Sequence, residues 1–89
     1  MSQNILNTLG ATTFGQTLGG NTLFSINPRV PAVDALEHAS ILQNCVNKLV
    51  SEAALANDPT LHLALSAKYL GEMAQAILDD VTQAIERSL

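Results

Sequence analysis

Asp34, Glu37 and His38 are the first residues in the chain that could do chemistry together. Asp34 and His38 lie four apart, a spacing that puts an acid and an imidazole on one helix face. That is the start of a metal site or of an acid–base pair. A structural zinc site needs about four ligands, and this cluster supplies two or three of mixed type. The simpler reading is an acid in a first helical turn beside an exposed His. His62 falls in the first turn of a second helix, with no other His near it. Cys45, between Asn44 and Val46, has no basic neighbour to depress its pKa and reads as a small packed apolar group. Asp79 and Asp80 are adjacent, but neighbouring helical residues point about 100° apart, so they read as a solvated face. Gly10, Gly15, Gly19 and Gly20 neither open a helix at phosphate-loop spacing nor lead to a Lys. No nucleophile, base and oxyanion site come together. The expectation is a non-enzyme with no catalytic residue, no metal and no cofactor.

Composition narrows the partners. The chain has 89 residues, enough for one domain, with four Lys and Arg against eight Asp and Glu and a net charge of -4. Nucleic acid is bound largely through basic side chains, and anionic membranes through clusters of them. Arg29, Lys48, Lys68 and Arg87 are dispersed, which argues against both. No run approaches the ~18 apolar residues of a membrane span. The amino terminus lacks the basic region and apolar core of a secretory signal, so cytoplasm is the expected location. Cys45 is the one cysteine, which rules out an intrachain disulfide.

The residues that must position any site lie after Arg29. From residue 31 to 57, Ala35, Ala39, Leu42, Val46, Leu49, Ala53 and Ala56 alternate spacings of four and three, an a/d heptad seam. Pro31 suits the first turn, and Asp34 and Glu37 suit the positive end of the helix dipole. Pro59 breaks the helix, with Asp58 as the N-cap of the next. From about 59 to 88 the spacing repeats at Leu63, Ala67, Leu70, Ala74, Ile77, Val81 and Ala84. Two equal seams across a tight break predict an all-α antiparallel two-helix hairpin. Gly71 lies beside the second seam, and close contact with another helix would compensate its low helix propensity.

Apolar residues also lie off the seams, and a lone hairpin leaves them in water. Dimerisation into a four-helix bundle would cover them. The candidate interface comprises Phe24, Leu36, Ile41, Cys45, Val50, Leu61, Leu65, Tyr69, Met73, Leu78 and Ile85. The chain before the helices divides in two. Residues 1–22, rich in Gly and Thr and free of charge, read as a flexible arm. Residues 23–30 read as an extended segment whose Phe24 packs across the helices.

From "LFSINPRVPAVDALEHASILQNC" onward the chain resembles a family of short pseudomonad proteins of unknown function. The matching residues are Leu23, Phe24, Ile26 and Pro28, then "ALEHAS" at 35–40, "SEAAL" at 51–55 and "YLGEMAQAILDDV" at 69–81. The resemblance implies a small helical protein with no catalytic residue to carry over, and the arm before Leu23 lies outside its pattern. A fainter resemblance, through "NDPTL", is to secretion-needle subunits, helical hairpins that polymerise. The expected function is therefore a protein–protein interaction module, a homodimeric regulator or adaptor with an unidentified protein partner. The alternative is a structural subunit that assembles like a secretion needle.

Overall fold

The computed structural model describes residues 6–55 and 61–89, leaving aside the side chain of Leu61. The two heptad seams form helix α1 (Ala32–Leu55) and helix α2 (Leu61–Ser88). Every described seam residue is buried or half-buried. Ala56, Asp58 and Pro59, which carry the expected break and N-cap, lie outside the described residues. Ala32 and Ala35, at the start of α1, pack with Val81 near the end of α2, and Ile77 joins them. The helices are therefore antiparallel. Pro31 stands one place earlier than expected: its carbonyl accepts the first helical bond from the Ala35 N–H at 3.1 Å. It caps the helix and is not in its first turn.

The expectation of an all-α chain needs correction, because a β-hairpin runs from the stretch read as a flexible arm into the segment read as extended. Strand β1 (Thr13–Gln16) pairs antiparallel with β2 (Thr22–Ser25), in register Thr13 with Ser25, Phe14 with Phe24 and Gln16 with Thr22. β-branched Thr and aromatic Phe fit a pleated surface, and Gly20, at φ 87°, supplies the left-handed residue in the turn. A composition that gives little helix propensity is here strand composition with turn residues in place.

Phe24 also differs from expectation. Its ring stacks on Phe14, centroids 5.3 Å apart and planes 28° apart, and it stays 55% exposed. β2 packs on β1, and it is β1 that approaches α2. The ring therefore packs within the hairpin.

The fully buried apolar residues are all small: Ala32, Ala35, Ala39, Ala74, Ala76, Ala84 and Val81. The largest fully buried side chain is that of Asp80. Leu42, Val46, Leu49, Leu63, Leu70 and Ile77 fill the seam but keep one side open. Two helices make one layer, and one layer cannot enclose a large side chain on all sides.

Gly15, inside β1, is the glycine of the hairpin that tolerates a side chain least. Its φ is 72°, and a Cβ there would fall 2.7 Å from Cδ2 of Phe24. Gly15→Ala meets both a left-handed backbone and the stacked ring, so a loss of about 1–2 kcal/mol is expected. Urea unfolding of the two proteins checks this, and an unchanged midpoint would contradict it.

Candidate functional site

Asp80 sits on α2 with Ala76 and Ala84 one turn away on either side and Ile77 and Val81 beside it. None of these can pair with a carboxylate, yet the side chain is 0% exposed. The preceding chain supplies the partners. The N–H groups of Leu9 and Gly10 donate to Oδ2 at 2.6 and 3.2 Å. Those of Ala11 and Thr12 donate to Oδ1 at 2.9 and 3.0 Å. Four successive amides curl round one carboxylate, the concave arrangement that backbone uses to hold anions. Gly10 permits the curl, with φ at 76° and a Cβ position only 2.9 Å from Cβ of Pro28. Burial pushes the Asp80 carboxyl up, while the four amide bonds favour its charged form and carry it below the usual carboxylate range.

Thr8 makes a second clasp one residue earlier. Its Oγ1 donates to the Asn27 carbonyl at 2.6 Å and accepts from the Val30 N–H at 3.0 Å. Its own N–H donates to the Val30 carbonyl at 2.8 Å, and its carbonyl accepts from the Arg29 N–H at 3.0 Å. The Ala32 N–H, an orphan donor of the first helical turn, reaches the Leu6 carbonyl at 2.8 Å. Arg29, at φ 64°, is held in the left-handed region within this turn. Thr8 joins the entry of α1 to the chain that Asp80 holds against α2.

Between the hairpin and α2 lies an open groove of about 750 Å³. Phe14, Thr17 and Leu23 line one wall, and Tyr69, Glu72, Gln75 and Asp79 the other. Gln75 Nε2 donates to Asp79 Oδ1 at 2.8 Å. Thr12, also on the groove, has a buried Oγ1 without a hydrogen-bond partner.

The residues singled out from sequence fall as follows. Asp34, Glu37, His38 and His62 are exposed, and no three metal-ligating side chains converge among the described residues. Cys45, expected to be packed, is exposed, because it lies beside the seam where no other element covers it. Asp79 is exposed as expected, whereas Asp80 is the opposite of a solvated acid. Phe24, Leu36, Ile41, Val50, Leu65, Tyr69, Met73, Leu78 and Ile85 keep more than a third of their surface in solvent, and Leu61 lies outside the described side chains. Sequence reasoning missed Asp80, Thr8 and Gly10. The available signal was an acid ringed on its own helix by Ala76, Ile77, Val81 and Ala84, with no cation one turn away.

A family model described as "Protein of unknown function (DUF3077)" matches residues 8–84. The chain belongs to the DUF3077 family. The match starts at Thr8 and takes in Asp80, so the chain before Leu23, expected to lie outside the family pattern, is part of it. No curated protein and no solved structure matches the chain. No described helix is long and apolar enough to cross a membrane.

Asp80→Asn places an amide NH2 where two backbone N–H groups need an acceptor. Hydrogen bonds to a charged group contribute about 1.5–3 kcal/mol, and an unmet buried donor costs about 1–3, so a loss of about 3 kcal/mol is expected. Because the folded-state pKa of Asp80 lies below the unfolded value, its contribution is complete at neutral pH. It fades as pH falls through about 4 towards the lower folded value. Urea unfolding from pH 7 to 3 should show the gap between wild type and variant narrowing only below about pH 4. A gap independent of pH would contradict the clasp.

Proposed function

We propose that this DUF3077 protein is a non-enzymatic protein–protein interaction module, a homodimeric regulator or adaptor. One observation carries the reading: the fully buried apolar residues are Ala and Val, while Leu36, Ile41, Val50, Leu65, Tyr69, Met73, Leu78 and Ile85 each keep more than a third of their surface in solvent. Apolar burial contributes about 25 cal/mol per Å², and alanines offer little area. A chain this small with so small a core is stabilised when another polypeptide covers its larger side chains. The described polar groups support the same reading, since Asp80 and Thr8 are committed to backbone partners and offer nothing to a substrate.

Light scattering on the purified protein at micromolar concentration tests this. The expected mass is two chains of 9.4 kDa each. A monodisperse single chain would overturn the homodimer, and growth to ever larger species with concentration would favour the polymerising subunit instead.

A further inference from the structure

Charge is unevenly placed around the two helices. With Ala35, Leu42 and Leu49 on α1 and Leu63, Leu70, Ile77 and Ala84 on α2 as d positions, the next residues are e positions. In an antiparallel pair the e rows of both helices flank the seam on one side and the g rows on the other. The e rows carry Leu36, Gln43 and Val50 on α1 and Ala64, Gly71, Leu78 and Ile85 on α2. The helices hold ten charged side chains, four in α1 and six in α2, and none is at an e position. The g rows differ: they hold Glu52 on α1 and Arg87 and Asp80 on α2, and Asp80 is where the preceding chain is clasped.

We propose that the e side is the surface on which a second copy of this chain docks, two hairpins facing each other as an isologous four-helix bundle. The inference rests on the homodimer reading above and assigns its face. Three features select a second copy as the occupant. The e rows are uncharged, so two chains of net charge -4 meet there without opposing like charges, which an acidic or a basic partner would have no reason to prefer. Apolar a, d and e positions together form the wide stripe of a bundle helix, where a lone pair needs only a and d. The area is near that of a standard interface: a 24-residue helix is about 36 Å long, and two helices each about 10 Å wide present roughly 700 Å². A stable interface buries about 800 Å² per partner.

Gly71 belongs to this surface. A Cβ added there meets nothing within 4 Å, so α1 is not the helix whose close contact would compensate it. A facing helix accounts for it, since Gly lets axes approach. The clasp, the β-hairpin and the groove beside Tyr69 and Glu72 lie on other sides of α2 and stay open in the dimer.

Gly71→Glu separates folding from docking. In the single chain it replaces a poor helix former with a good one in open space, so helix content is kept and any loss of stability comes from lost docking. In the dimer it buries an unpaired charge, which weakens self-association about a hundredfold or more. Leu78→Glu should act likewise, while Ile41→Glu, on the g side and also exposed to solvent, leaves the dimer intact. The readouts are light-scattering mass and circular dichroism. A wild-type monomer overturns the homodimer reading itself. A wild-type dimer that survives both Gly71→Glu and Leu78→Glu, or falls apart with Ile41→Glu alone, overturns the face assignment and leaves the homodimer standing.

Discussion

A single buried carboxylate ties this chain together. Asp80 lies about seventy positions from the four amides that surround it, and these are the contacts that fix the preceding chain against α2. A buried anion without partners is costly, so the folded state requires the curl at Leu9–Thr12. The curl in turn requires Gly10. From there β1 is directed along α2, and the returning strand leads into the turn that Thr8 closes before α1. Without the carboxylate the helices would keep their seam, but the preceding chain would lose its hydrogen bonds to α2.

The clasp also sets what is left open. It occupies the g side of α2, so the hairpin covers Ala76 while the e side stays bare. The small seam residues that allow the helices to approach cannot supply a large core. The larger side chains therefore stand round the outside, and the flanking row on the unclasped side carries no charge. An uncharged outer stripe on an acidic protein is a surface suited to itself.

The helices were legible in the sequence because heptad spacing is local: each of Leu42, Val46, Ala74 and Val81 is placed by residues three or four away. Pro31 was displaced by a single position, as happens where a helix end depends on which carbonyl takes the first bond. The hairpin was not read, because glycines in a Thr-rich stretch suit both a mobile arm and a strand–turn–strand, and only long-range anchoring decides. That anchor, Asp80, looked solvated because its partners are backbone amides, which leave no trace in side-chain spacing. Phe24, expected to pack across the helices, stacks on Phe14, a partner ten residues away that no helical spacing points to.

Amide hydrogen exchange at Leu9, Gly10, Ala11 and Thr12 tests the clasp most directly. At neutral pH these four amides should exchange slowly and together, as a unit that opens only when Asp80 lets go. The solvent-facing tip at Leu18 and Gly19 should exchange freely. Rates at all four near those of an unstructured peptide would show that the carboxylate does not hold the chain, and the account would fail.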